Sequence, residues 1–249
     1  ELMNWQKLEI YDSISSNELP SDEINSAWAH LRAEEFVPLR NLRDVSPLLS
    51  TTWDQGTYFN ELCPEDNDGP NGHVWAGCVA TAMAQVMKYW SFPEMGTGSH
   101  SYYHPEYGTQ YANFGTTTYN WASMPNSVNT YNTSVATLYY HLGVSVDMDY
   151  GVGGSGAYSG DALDALTDYF QYDNAAQLLW KSDYPATTWD TMLRNELDDG
   201  RPLYYRGQNT SSGHAFNVDG YQGTAYFHLN WGWSGSYNGY FYLNDLTPG

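Results

Sequence analysis

The sequence predicts an α+β fold, with helices first and an antiparallel sheet last. Three observations predict it. The apolar residues between 79 and 198 gather in helical stretches without internal Gly or Pro. From residue 203 the pattern changes to alternating or continuous apolar runs, separated by Gly-rich turns at 207–213, 220–223 and 232–239. No strand–helix–strand alternation runs through the chain, which separates this pattern from a parallel βαβ repeat. No internal repeat is visible.

Residues 1–46 read as an N-terminal extension. Within it, 21–36 form a predicted amphipathic helix: Ser21 caps, Asp22 and Glu23 fill the first turn, and Ile24, Ala27, Trp28 and Leu31 make an apolar stripe. From Pro47 the chain reads as one domain, 47–249, with a helical part over about 47–150 and a sheet part over about 200–249. Helices are predicted over 79–90, 134–142, 161–170 and 189–198. The last one stops at Gly200 followed by Pro202, a common helix ending. The Thr/Asn/Tyr-rich stretch 107–133 predicts no element. Strands are predicted over 203–206, 215–219, 225–231 and 240–243, as an antiparallel meander.

With 249 residues the chain buries a sizeable core without staples. Aromatics reach 16%, including 23 Tyr and 10 Trp, which argues against disorder. Asp+Glu number 29 and Lys+Arg 9, a formal charge of -20. Nucleic acid and anionic membrane surfaces are therefore excluded as expected partners, because both need clustered Lys/Arg. No apolar run is long enough to span a bilayer. Few lysines and the acidic balance point to an extracellular or periplasmic protein.

The chemistry-bearing residues are Cys78, His214 and Asn230. Gly77 ends a loop and Cys78 opens the 79–90 helix. A thiol there sees the positive end of the helix dipole and unpaired N–H groups, both favouring thiolate. A buried core cysteine is the plain alternative. Among seven histidines, His214 stands at a strand start after Ser211-Ser212-Gly213, held rigidly yet able to face a cleft. His228, inside the next strand, is its rival. Asn230, on that next strand and flanked by Trp231 and Trp233, is expected to accept from the far ring nitrogen and fix the tautomer.

The order Cys…His…Asn and the block Asn230-Trp-Gly-Trp-Ser-Gly…Gly239-Tyr240 resemble papain-like peptidases. The nearer resemblance is to the streptopain-type cysteine peptidases of bacteria. It rests on four blocks. The first is Leu48-Leu-Ser-Thr-Thr-Trp-Asp-Gln, and the second runs from Gly77-Cys-Val-Ala-Thr-Ala to Tyr89-Trp90 with Pro93. The third is Gly143-Val-Ser-Val-Asp-Met-Asp-Tyr-Gly. The fourth runs from Gly213-His-Ala-Phe through Asn230-Trp-Gly-Trp to Leu246. The resemblance covers about 47–249.

It implies a papain-like α+β fold, with a helical part carrying the nucleophile against a sheet part carrying the histidine and a cleft between them. It implies a secreted bacterial cysteine endopeptidase acting through a thioester, with protein substrates and no metal or organic cofactor. Cys78 becomes the nucleophile and His214 the base, with Asn230 and Trp231 its support. Gln55 becomes the side-chain donor of an oxyanion hole shared with the Cys78 amide. Trp233 walls the cleft, and the 152–157 loop with Val152 and Gly153, together with Gly213, offers substrate-binding backbone. Residues 1–46 become the remnant of an inhibitory prosegment, so an inhibitory prosegment or inhibitor protein joins the expected partners. The resemblance also implies a Gly-rich loop and a final strand beyond the point where this chain stops.

Rival readings remain open. An inactive peptidase-like binding or adhesin module would present the aromatics to glycans or proteins. A transglutaminase-like acyl transferase would use the same Cys–His chemistry but carries Asp where Asn230 stands. A Cys63–Cys78 disulfide would abolish nucleophilicity. Asp66-Asn-Asp-Gly69 resembles part of a calcium loop but lacks the downstream Glu of an EF-hand. Asp147 and Asp149 could bind a cation or cap a turn. No zinc pattern is present.

Overall fold

The computed structural model describes residues 44–208 and 212–246. The predicted helix over 21–36 lies outside the described residues. In chain order the elements are α1 (Cys78–Trp90), β1 (Ser99–His104), β2 (Gly108–Asn113), α2 (Thr133–Ser145), α3 (Ser159–Asp168), α4 (Ala186–Asp198), β3 (Leu203–Gln208), β4 (Gly213–Gln222), β5 (Tyr226–Asn230) and β6 (Gly239–Tyr242).

Helix α1 is buried without interruption from Val79 to Met87. Small Ala80, Ala82 and Ala84 let neighbours approach on every side, which makes it the central helix. Helix α2 is capped by Asn132, whose side chain accepts from the Val135 N–H at 3.1 Å. It runs three residues past the predicted end. Gly143 sits inside the helix, where a Cβ would lie 2.0 Å from the Tyr150 hydroxyl oxygen. Helices α3 and α4 each start two or three residues earlier than predicted.

The four late strands form an antiparallel sheet in the order β3-β4-β5-β6. The sequence reading missed the β1–β2 hairpin, which pairs Ser99 with Asn113 through to His104 with Gly108. Its strands mix tyrosines with polar residues and show one exposed face and one covered face, buried at His104, Gln110 and Ala112. They carry too few aliphatics to give a strand signal.

Two apolar cores result. One surrounds α1 and α2 with Trp53, Phe59, Met83, Leu138 and Met148. The other lies between α4 and the sheet: Leu193 and Leu197 meet Phe216, Val218, Phe227 and Leu229. The segment after residue 44 lies along β4. Val45 bridges Tyr221, and the Leu48 and Leu49 N–H groups donate to the Asp219 carbonyl and carboxylate at 2.8 and 2.9 Å. It thereby leads residues 51–55 to the start of α1. Among the described residues, no helix is long and apolar enough to cross a membrane.

Candidate active site

The chain reaches Cys78 in an extended run tied down on both sides. The Ala76 N–H donates to the Gln55 carbonyl at 2.9 Å. The Trp75 indole N–H donates to the Val152 carbonyl at 2.9 Å, and the Ser155 hydroxyl donates to the Trp75 carbonyl. Gly77 then takes φ +92°, and a Cβ there would lie 2.7 Å from the Met148 sulfur. Only glycine fits both conditions. No side chain caps this helix, so its first-turn N–H groups stay open to an anion beside the thiol. Cys78 is half-buried and free.

Cys63 is also free, so the disulfide reading is set aside. It is 3% exposed, and burial pushes its thiol up to about 12. It is a small side chain of the apolar core.

His214 is the second residue of β4. Its Nε2–H donates to the backbone carbonyl of Trp231 at 2.8 Å. The ring lies 4.7 Å from the Trp233 ring and 6.1 Å from those of Trp231 and Phe216, centroid to centroid. With Nε2 committed, Nδ1 is the nitrogen left for chemistry. Burial pulls the imidazole below its ordinary 6.5, and the Trp231 carbonyl partly opposes this. The rival, His228, is held by the buried Asp219 at 2.6 Å.

Asn230 does not meet the imidazole, contrary to the sequence expectation. Its amide nitrogen donates to the Thr51 carbonyl at 2.8 Å, and its Oδ1 accepts from the Gly232 N–H at 3.2 Å. Register is the reason. Asn230 pairs with Asn217, three residues or roughly 10 Å along the strand from His214. The chain must turn past Trp231 before any group reaches the ring.

Helix α1 lies across this strand. The Ala82 carbonyl accepts from the Asn217 side chain at 3.0 Å, and a Cβ on Gly232 would lie 2.8 Å from the Thr81 methyl. Ala215, next to His214, belongs to the apolar cluster that Cys78 borders. The start of α1 and the start of β4 therefore border the same apolar cluster.

Gln55 is half-buried beside it. Its backbone N–H donates to Asp54 Oδ1 at 2.6 Å, and the other Asp54 oxygen accepts from the Ser234 hydroxyl. Trp233 covers His214 from the same loop as Ser234. Val152, 38% exposed, and Gly153, with open space around it, lie in the loop that holds Trp75. Gly213 is exposed beside the Arg206 guanidinium, 3.3 Å from where its Cβ would stand.

The sequence pattern of the peptidase C10 family matches residues 53–241. The chain belongs to the peptidase C10 family. The thiol protease/hemagglutinin PrtT of Porphyromonas gingivalis is 37% identical over 240 residues, covering 88% of this chain and 27% of that protein. Streptopain of Streptococcus pyogenes is 33% identical over 217 residues, covering 79% of this chain and 54% of that protein. This chain thus spans between 27% and 54% of the length of these two relatives. The structure of active wild-type interpain A cysteine protease from Prevotella intermedia superposes with a TM-score of 0.76 at 38% identity. It covers 82% of this chain and 88% of that one. The streptopain-type resemblance and the papain-like α+β fold are thereby shown.

Within this peptidase C10 fold, Asp54 and Ser234 tie the Gln55 segment to the Trp233 loop, a link that the sequence reading missed. Asp54 lies in the Trp-Asp-Gln block and gives no signal of its own without its fold partner. Other polar candidates are engaged elsewhere. Asp66 accepts from the Asp68 N–H and from the Tyr107 hydroxyl. Asp147 and Asp149 pair with His100 and His104 at 2.6 and 3.2 Å. Among the described residues, no group of three His, Cys, Asp or Glu could hold a metal ion.

Proposed function

We propose that this chain is a secreted bacterial cysteine endopeptidase that cleaves peptide bonds in protein substrates through a thioester on Cys78. One observation carries the reading: a half-buried free thiol opens an uncapped helix that packs on the strand whose His214 has Nε2 tied to the Trp231 carbonyl, leaving Nδ1 free. Family membership supports the same chemistry.

The Cys78 proton passes to His214 Nδ1, giving a thiolate and an imidazolium. Sγ attacks the peptide carbonyl carbon. The oxyanion is held by the Cys78 backbone N–H and the Gln55 side-chain amide, a contribution worth about 10²–10³ in rate per donor in comparable sites. The C–N bond then breaks, and His214 gives its proton to the leaving amine. Water attacks the thioester as His214 takes one of its protons; the C–S bond breaks, Cys78 leaves as the thiolate, and the imidazolium returns the proton to sulfur. No cofactor takes part; the thiol must be kept reduced. Trp233, Gly213, Val152 and Gly153 would border the bound chain, and the -20 charge would favour cationic substrates.

Residues 47–249 form the peptidase domain in this reading, and 1–46 derive from a prosegment. The structure of a prointerpain A fragment from Prevotella intermedia supports the latter. It covers 98% of this chain, at 34% identity and a TM-score of 0.75, and the chain covers 76% of it.

Casein hydrolysis under reducing conditions tests the proposal, with the wild-type chain beside Cys78→Ala. Hydrolysis by the wild type alone is expected. Equal hydrolysis by both would contradict it. A wild type that neither cleaves casein nor reacts at Cys78 would favour the binding-module reading.

A further inference from the structure

Cys78, Thr81, Ala82 and Gln85 share one face of α1, because residues three, four and seven apart stack on a helix. The first three of these meet the site as described above. Gln85 lies two turns below the thiol and is fully buried. Its Nε2 donates to Asn217 Oδ1 at 3.0 Å and to Asn230 Oδ1 at 3.2 Å. Its Oε1 accepts from the Thr51 hydroxyl at 2.8 Å.

The orientation of this amide is forced. The Asn217 amide nitrogen faces the Ala82 carbonyl at 3.0 Å, and that of Asn230 faces the Thr51 carbonyl at 2.8 Å. Both Oδ1 atoms must therefore look for a donor, and both find the same NH₂. Every donor and acceptor of the Gln85 side chain is used.

The consequence reaches His214. The Trp231 carbonyl that holds Nε2 lies between Asn230 and Gly232. Gln85 fixes Asn230, and Asn230 Oδ1 fixes the Gly232 N–H at 3.2 Å. One side chain on the nucleophile's helix thus clamps the strand of the histidine, the turn that orients it and the segment leading to Gln55. We infer that Gln85 is the positioning residue that sets the Cys78–His214 relation, acting through Asn217, Asn230 and Thr51. This rests on the peptidase reading of the same site. A Glu of the same shape would point acceptors at two acceptors, and a Met would remove the amide donor from both Oδ1 atoms, leaving that of Asn230 with the Gly232 N–H alone.

The test is the rate of Cys78 alkylation by iodoacetamide as a function of pH, in the full chain, for wild type, Gln85→Glu, Gln85→Met and Met87→Ala. Met87→Ala opens a cavity on the same helix outside the network and controls for lost stability. The two Gln85 variants are expected to alkylate about 10-fold to 10²-fold more slowly at pH 6, with the acid limb moved to higher pH. Met87→Ala is expected to keep the wild-type profile while folded. Gln85 variants that melt as folded proteins and keep the wild-type rate and profile would overturn the inference alone. If neither Gln85 variant folds, Thr51→Val removes one bond of the network. A smaller shift in the same direction is expected, and an unchanged profile overturns the inference. An unreactive Cys78 in the wild type would overturn the peptidase reading and this inference with it.

Discussion

His214 takes its orientation from a backbone carbonyl, which no substitution removes. The Trp231 oxygen stays in place as long as the turn around it does, so Asn230 acts at one remove. In the proposed mechanism, replacing His214 by Ala removes the base and the acid together, and kcat/KM is expected to fall by at least about 10²-fold. Asn230→Ala is expected to cost about 10-fold in kcat/KM, because the turn loosens without losing its oxygen. It should also lower the melting temperature, since buried partners at Thr51, Gly232 and Gln85 lose their bonds. Steady-state kinetics of the two variants side by side check this; equal losses would show that Asn230 touches the imidazole directly. The places of Cys78 at a helix start and of His214 at a strand start were legible, while the role proposed for Gln55 rests on the family resemblance. The contact of Asn230 was not, because it depends on the register of β4 against β5, which a sequence read strand by strand does not supply.

Among the elements, α1 and the β3–β6 meander were legible because their signals are strong and local. The helix runs without Gly or Pro through residues 78–90, and each strand of the meander is bounded by a Gly-rich turn. The β1–β2 hairpin and the end of α2 were not, since each depends on a tertiary partner. The hairpin carries His100 and His104 to Asp147 and Asp149, and Gly143 makes room for Tyr150. Helix α4 meets the sheet through the apolar Trp189, Leu193 and Leu197, with the Trp189 indole N–H donating to the Tyr205 hydroxyl at 3.0 Å and the Tyr221 hydroxyl donating to Asp198 Oδ1 at 2.7 Å. Leu197 is 1% exposed, so Leu197→Ala is expected to cost about 2–5 kcal/mol of stability through lost burial and the cavity left behind. A urea titration measures it. A cost under about 1 kcal/mol would mean that α4 does not share the core of the sheet.

At the scale of the whole molecule, acid should unfold this chain through a buried histidine. His141 sits in the first core with its Nδ1 3.0 Å from the Tyr119 hydroxyl, and burial holds it down at about 4. In the unfolded chain it titrates near 6.5. Between these values the unfolded state binds the extra proton, so stability is complete above about 6.5 and falls as the pH drops toward about 4. The loss attributable to this one group reaches about 3 kcal/mol. Melting temperatures followed across that window should fall less steeply in His141→Gln than in the wild type. Parallel slopes would contradict the assignment. The two-core arrangement was legible as a class from the change of period near residue 203. The polar seam of Gln85, Asn217, Asn230 and Thr51 between the cores was not, because single amides in apolar runs carry no pattern.

The central claim is that Cys78 is a nucleophile made by its helix start and by His214. The two free cysteines provide an internal comparison. The most direct measurement is limited iodoacetamide labelling at neutral pH with mass mapping of both thiols, in the wild type and in His214→Ala. Cys78 is expected to label first by a wide margin in the wild type and to slow in the variant, while Cys63, buried with its thiol pushed up to about 12, stays unlabelled until the chain unfolds. Labelling of Cys63 at the rate of Cys78, or a Cys78 rate untouched by the loss of His214, would contradict the account.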